Sequence, residues 1–286
     1  MPRHTTALIL ASLFLVSCGS VKISPRKVES SDPKAVALVD DCVRAHGWTK
    51  SPRIRDVSVR YEGEWAAVSP RFQPTLVDTG FRGGSEERLL LSEEFLAQMH
   101  RGPKGGKNVV RSKGEVFVAY NGRENTEREV RQAAALVADA YAMFLLGPTF
   151  FQREGVHLVL AGEGSVGDVS CDQVLAVLTP GLGEAKEDRV ILSIDRNTRR
   201  LLRVRMTLSG LESTQGAEVD VTFSKFREVA GRTWPTEFHE RVRAPFDLPA
   251  HHWRLVGLDV NRGFNREELS ISGFKDSAAR PATSLP

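Results

Sequence analysis

The chain has 286 residues, of which 41% are hydrophobic and 26% are charged, a composition typical of a globular protein. Its 39 basic and 36 acidic residues leave a formal net charge of +3, and the two signs are interleaved along the sequence. This pattern argues against a basic stripe for nucleic acid, so no nucleic-acid partner is expected.

The first segment of the chain predicts an export signal. Arg3 and His4 precede an apolar run from Ala7 to Val16, which ends in small residues and Cys18. The run is too short for a mature membrane helix, which needs about 20 apolar residues. This ending resembles the lipobox of bacterial lipoproteins, in which the signal is cut before the cysteine and the thiol is diacylated. The resemblance implies a signal peptide over residues 1–17 and a palmitate-type anchor on Cys18.

The expected anchor determines where the mature protein resides. Two or three acyl chains hold a protein stably at a membrane, because each buried methylene contributes about 0.8 kcal/mol. We therefore expect a lipid-anchored protein of the bacterial cell envelope. Gly19 is not the aspartate that retains lipoproteins in the inner membrane of enterobacteria, so the outer membrane, facing the periplasm, is favoured. The alternative is an ordinary cleaved signal in which Cys18 is incidental.

The mature chain is predicted to divide into three parts. Residues 18–32 are polar and predict a lipid anchor followed by a tether. Residues 33–274 form the folded domain, which begins with a helix that Asp32 caps and Gly47 ends. Residues 275–286, rich in Ser, Ala and Pro, predict a disordered tail.

Apart from Cys18, the cysteines are Cys42 and Cys171. In an oxidising periplasm they are candidates for a disulfide. Unpaired cysteines are also common as small buried hydrophobes, and the sequence does not place the two Cα atoms within bonding distance. Both states remain open at this point.

The dominant period within the domain is two, which is typical of half-buried antiparallel strands. Val57, Val59 and Tyr61 share one face of the first such strand. The same alternation recurs, separated by turn residues, in four further segments: Val190 to Ile194, Leu202 to Leu208, Val219 to Phe223, and Trp234 to Val242. Successive hairpins predict a meandering antiparallel sheet.

One segment departs from this period. Glu127 to Leu146 has helical spacing and is followed by the stop signal Gly147-Pro148. Its second half is apolar on nearly all sides, so it must be surrounded by protein or by an apolar ligand. We expect it to cover the concave face of a curved sheet.

The motifs that commonly carry chemistry lack their required context. Gly162 to Gly167 matches G-x-G-x-x-G, but the following residues have strand character, so a hairpin is expected and no cofactor. His251 and His252 point to opposite faces of a strand, and with His239 they lack metal-ligand spacing, so no metal is expected. Pairs of adjacent acidic residues in the sequence are expected to lie on solvated faces of the protein and not to act as catalytic acids and bases. With no catalytic constellation, the protein is not expected to be an enzyme.

The whole pattern resembles the LolA/LolB-like superfamily of periplasmic lipoprotein carriers and receptors. The resemblance rests on the strand Val190 to Asp195, the turn Arg196-Asn197-Thr198, the strands that follow, and the Gly231 to Pro235 corner. It implies an α+β fold: a strongly curved antiparallel sheet, or open and incomplete β-barrel, with helices covering the concave face. It also implies an arginine that holds the lid closed, which cannot be assigned because several arginines lie at plausible strand positions.

This resemblance implies binding or carrying of acyl chains from a lipid or lipoprotein in an apolar cavity; the protein partner is unknown. We expect the cavity beneath the central helix, and its candidate lining residues are Val57, Val59, Tyr61, Tyr141, Phe144, Leu145, Trp234 and Phe238. The main alternative is a scaffold or envelope-stress sensor with a filled core. A lipid-anchored enzyme is the third possibility, and it would require a convergent polar set in a pocket.

Overall fold

The computed structural model describes residues 23, 27–244 and 247–286. The predicted signal peptide and Cys18 lie outside the described residues. The helices are α1 (Pro33–Ala45), α2 (Ser69–Phe72), α3 (Pro74–Val77), α4 (Arg128–Leu146) and α5 (Asp276–Ala279). The strands are β1 (Asp56–Trp65), β2 (Gly84–Leu90), β3 (Phe95–Gly102), β4 (Gly105–Ser112), β5 (Glu115–Tyr120), β6 (Arg123–Glu124), β7 (Val156–Val166), β8 (Val169–Leu178), β9 (Asp188–Asp195), β10 (Leu201–Thr207), β11 (Glu218–Ser224), β12 (Arg227–Val229), β13 (Arg232–Trp234), β14 (Glu237–Ala244), β15 (Leu248–Val260), β16 (Leu269–Ser270) and β17 (Gly273–Phe274).

Thirteen of these strands form one sheet in the order β6-β5-β4-β3-β2-β1-β15-β14-β11-β10-β9-β8-β7. All its pairings are antiparallel, and β6 and β7 are edges, so the sheet is open. The break in chain order falls where β1 pairs with β15, which joins an N-terminal meander to a C-terminal one. The predicted α+β fold, an open curved antiparallel sheet with helices on its concave face, is confirmed.

Helix α1 begins as its sequence predicts. The Asp32 side chain accepts a 2.8 Å hydrogen bond from the backbone N–H of Lys34, and Pro33 occupies the first turn. The backbone N–H of Asp32 also donates to Leu158 of β7 at 2.7 Å. The end of the predicted tether is therefore docked against the edge strand.

Helix α4 fills the concave side of the sheet. Together with the turn after it, it forms 25 helical residues whose most apolar window has a mean hydropathy of 1.5, enough to cross a membrane by length and composition, yet 72% of that window is buried inside the protein. Tyr141 packs edge-on against Tyr61 with ring centroids 5.7 Å apart, and Phe144 lies 5.8 Å from Trp253. The helix is the central element of the core.

The C-terminal residues are not the disordered tail that the sequence predicts. Residues 276–279 form α5, Ala278 and Ala282 are buried, and Leu285 bonds to the backbone of Val256. Arg88 on the outer face of β2 donates to the carbonyl oxygens of Ala278 at 3.0 Å and Arg280 at 2.9 Å. Small side chains let this segment lie flat on the sheet, so the same composition that suggests disorder permits close packing.

A disulfide between Cys42 and Cys171 is absent, and both are buried free thiols. Cys42 packs into the core on the concave side. On β8, Val174 and Ala176 belong to that same core, so Cys171 points to the opposite face because side chains alternate along a strand. The sheet itself separates the two sulfur atoms.

Candidate functional site

The residues predicted to line a cavity lie instead in a packed core. All eight are at most 9% exposed: Val57, Val59, Tyr61, Tyr141, Phe144, Leu145, Trp234 and Phe238. Aromatic side chains from β14 and β15 occupy the space that the prediction left open, since Phe238 stacks on Trp253 with centroids 5.0 Å apart. Of the eight, Tyr61 and Tyr141 do border a pocket, but it holds only about 20 Å³.

One sizeable cavity is an apolar cleft of about 340 Å³ at one end of the half-barrel. Helices α2 and α3, the helix pair, form its cover, and the β14–β15 hairpin forms its floor. Its apolar lining residues are Trp65, Val68, Phe72, Leu76, Val77, Leu208, Ala217, Val219, Val242, Leu248, Pro249 and Ala250. Phe72 at the mouth is 62% exposed, an unusual position for a large aromatic side chain. The volume and lining suit a flexible apolar ligand.

Glu240 is the charged group in the lining of the apolar cleft. It lies on β14, opposite Val221 of β11. Burial raises the pKa of this carboxyl to about 7, although the nearby Arg82 opposes the shift. Glu240 is therefore partly protonated near neutral pH, which lowers the charge that an apolar ligand would meet.

A buried arginine holds the helix pair in place. Arg82 donates to the carbonyl oxygen of Leu76 at 2.6 Å and to the hydroxyl of Tyr141 at 3.3 Å, and its guanidinium lies 5.0 Å above the Trp65 ring. Trp65 in turn stacks on His251 with centroids 3.8 Å apart. We call Arg82, Trp65, Tyr141 and His251 the latch, because they join the helix pair to α4 and β15.

The imidazole of His251 is neutral within the latch. Burial, together with the charges of Arg82 and His252, holds the pKa of His251 well below its usual value. The ring therefore interacts with Trp65 and the Tyr141 hydroxyl without adding a second buried positive charge beside Arg82.

A larger side cavity of about 950 Å³ lies near the C-terminal end of α4. Its apolar wall includes Leu96 and Leu146, but Arg111 and Asp139 also line it. These two form a bidentate pair, with N···O distances of 3.0 and 2.8 Å. Such paired charges favour water over an acyl chain, so the apolar cleft is the better candidate for an apolar ligand despite its smaller volume.

The sequence motifs occupy structural positions. The glycine-rich stretch Gly162 to Gly167 runs along β7 into the turn of the β7–β8 hairpin, which confirms the predicted hairpin. His251 points into the latch, whereas His252 contacts Glu237 on the outer face.

Sequence reasoning missed Arg82, Glu240 and the helix pair. Pro70 and Pro74 at the starts of the two short helices, with Phe72 and Leu76 four residues apart, are the local signal that was present. The contact between Arg82 and Tyr141 was not accessible from the sequence because the two residues are 59 positions apart along the chain.

Comparison with solved structures shows which fold this is. A LolA superfamily protein from Nitrosomonas europaea is 9% identical and aligns over 82% of this chain and 97% of its own, with a TM-score of 0.53. A protein of the DUF1329 family from Desulfovibrio piger is 14% identical over 86% of this chain and 100% of its own, with a TM-score of 0.51. A domain from Vibrio parahaemolyticus, named for outer membrane lipoprotein sorting, is 9% identical. It aligns over 82% of this chain and 95% of its own, with a TM-score of 0.50.

No protein-family model matches the sequence, and no curated protein matches it. The chain therefore has a LolA-like fold with a highly divergent sequence. At this level of identity the comparison concerns the fold.

Proposed function

We propose that the protein is a lipid-anchored protein of the bacterial envelope that holds the acyl chain of a lipid or lipoprotein in its apolar cleft. The observation that carries this proposal is the cleft itself: about 340 Å³ of space bounded mostly by apolar side chains, with Phe72 exposed at its mouth. Burying an acyl chain there removes apolar surface of both partners from water, which favours binding.

The fold and the lipobox support the same conclusion independently. LolA-like proteins and a domain named for lipoprotein sorting share the fold. An acylated Cys18 would hold the cleft close to a membrane, which is the source of such chains. The proposed location is the periplasmic face of the outer membrane, and the proposal contains no catalytic step.

The latch supplies a way to open and close the cleft. The helix pair is two turns of only four residues each, and its attachment to the core includes the hydrogen bond from Arg82 to Leu76. Breaking that bond would loosen the cover, which is also held by hydrogen bonds from Ser69 to Ala250 and from Gln73 to Ser213, while α4 and the sheet remain packed. We therefore assign to Arg82 the lid-closing role that the family resemblance implies.

A scaffold or stress sensor is the second candidate, and one observation favours it. The space beneath α4 is filled by the aromatic core of Tyr61, Tyr141, Phe144, Phe238 and Trp253. A protein of this class would use its outer surface and leave the cleft without a ligand.

Photo-crosslinking in intact cells separates the two candidates. Benzoylphenylalanine replaces Phe72 at the mouth of the cleft or, as the control, Phe117, an exposed phenylalanine on β5. After irradiation, mass spectrometry of the peptide carrying each substitution should find acyl-chain adducts at position 72 and none at position 117. Equal labelling at both positions, or none at position 72, would contradict the carrier proposal and favour the scaffold.

A further inference from the structure

Three potential metal ligands converge on the outer face of the β14–β15 hairpin. His239 and His252 are directly opposite each other in the register of the two strands. Their rings stack with centroids 4.2 Å apart and an interplanar angle of 7°. Glu237 precedes His239 by two residues and therefore lies on the same face of β14. We call these three residues the outer-face cluster.

The donor atoms of the outer-face cluster are close to one another. His252 Nε2 lies 3.1 Å from Glu237 Oε1, and His239 Nε2 lies 3.9 Å from Glu237 Oε2. One ligand atom from each residue can be chosen so that all three lie within 4.8 Å of one another. Zinc binds imidazole nitrogen and carboxylate oxygen at about 2.0–2.2 Å, so small side-chain rotations are enough to bring the three atoms around one ion.

The surroundings allow those rotations and prepare the carboxylate. The side chains of His239 and His252 are 49% and 43% exposed, so both rings can adjust. Ser224 Oγ donates a 3.2 Å hydrogen bond to Glu237 Oε2 and orients the carboxylate, as an outer-shell partner of a metal ligand would.

Nearby cationic charge is partly neutralised. Arg241, two residues after His239, makes two hydrogen bonds to Asp247, at 3.0 and 2.6 Å. Arg254 is the cross-strand partner of Glu237, and its long flexible side chain can extend into solvent.

We propose that Glu237, His239 and His252 form a surface site for a divalent cation of the zinc type. Two imidazoles and one carboxylate are a common three-ligand set for zinc, and they leave a fourth position for water or an external ligand. The site bridges β14 and β15, the strands that also carry the floor of the apolar cleft. It is independent of the acyl-chain proposal, because it lies on the opposite face of the sheet and neither requires the other.

Calorimetric titration of the full chain with zinc chloride tests this site. The protein is purified in mild detergent without a histidine tag and is first stripped with a chelator. One saturable equivalent of zinc should bind, and bound zinc should raise the melting temperature by several degrees. His239→Ala, His252→Ala and Glu237→Gln should each weaken binding by more than about tenfold.

The control is His157→Ala, which changes the remaining partly exposed histidine among the described residues; it should leave zinc affinity unchanged. Because the cluster residues are partly exposed, their variants should melt like the wild type in the absence of zinc, which separates lost binding from lost folding. Wild-type protein that shows no saturable, stoichiometric binding of zinc in this titration would overturn the proposal. Unchanged affinity in both histidine variants would overturn it equally.

Discussion

Arg82 donates a 2.6 Å hydrogen bond to the carbonyl oxygen of Leu76, and this bond joins the cover of the apolar cleft to the residue that leads into β2. The same guanidinium reaches the hydroxyl of Tyr141 on α4. One side chain thus connects the helix pair to the core helix. Arg88, six residues later, is also buried, but it holds the C-terminal segment through Ala278 and Arg280.

These two arginines should stabilise different segments. Arg82→Met removes the charged donor to Leu76, so we expect a loss of about 2 kcal/mol and faster amide exchange in residues 69–77. Arg88→Met is the matched control and should accelerate exchange in residues 276–285 instead. Hydrogen exchange with mass spectrometry measures both, and a uniform increase across the chain in either variant would contradict this assignment.

The C-terminal residues should contribute to stability. Deleting residues 276–286 uncovers the apolar cluster that includes Leu90, Phe95 and Val110, and it removes the carbonyl acceptors that Ala278 and Arg280 offer to Arg88. We expect urea denaturation to show a loss of more than about 2 kcal/mol. Deleting Pro286 alone, an exposed residue, should have little effect. A truncated chain as stable as the full one would mean that this segment behaves as the disordered tail predicted from sequence.

Phe144→Glu should unfold the domain. Phe144 is 4% exposed and surrounded by aromatic rings, so a carboxylate there is buried without a partner. We expect a loss of more than about 4 kcal/mol in denaturant melts. Arg128→Glu, at the exposed start of α4, should change stability by less than about 0.5 kcal/mol. A stable Phe144→Glu variant would indicate the open cavity beneath α4 that the sequence predicts.

Glu240 should make stability depend on pH. Its pKa is about 7 in the folded protein, against about 4.5 when unperturbed. The folded state therefore binds the proton more tightly than the unfolded chain, so this carboxyl supports folding at low pH and loses that contribution as pH rises from about 4.5 to about 7.

Glu240→Gln removes this pH dependence. Allowing for the partial exposure of the side chain, we expect the variant to be about 2 kcal/mol more stable than the wild type at pH 8 and nearly unchanged at pH 5. Thermal melts at the two pH values measure the difference. The control is Glu228→Gln, which changes an exposed glutamate on β12 and should be as stable as the wild type at both pH values. If Glu240→Gln raised stability equally at pH 5 and pH 8, that result would argue against a buried carboxyl.

Acylation of Cys18 remains a prediction, since this residue lies outside the described residues. Cells grown with labelled palmitate should incorporate the label into the wild-type protein. Cys18→Ala should lose the label and either leave the membrane fraction or retain its signal segment. Label that persists in Cys18→Ala would show that another residue carries the acyl chain.

The sequence by itself determined the elements whose causes are local. Asp32 and Pro33 define the start of α1 through capping and fixed backbone geometry, and Gly147-Pro148 ends α4 where expected. Alternation of apolar residues identified strands such as β9 and β11. Successive side chains of a strand point to opposite faces, so a strand with one face on the core and one in solvent has a period of two. Together these elements predicted a meandering antiparallel sheet with a helix on one face, and the resemblance to the LolA/LolB-like superfamily added the open half-barrel.

Only the tertiary structure decided which distant residues meet. Register between β14 and β15 places His239 beside His252, although His251 and His252, adjacent in sequence, point to opposite faces. Gly257 lets the C-terminal segment approach the sheet, since a Cβ there would lie 2.8 Å from the carbonyl oxygen of Ala282. The cavity beneath α4 is filled because β15 supplies Trp253, a contribution that depends on packing between segments far apart in the chain. Periodicity reports which face of an element is buried, but not what fills the space against that face.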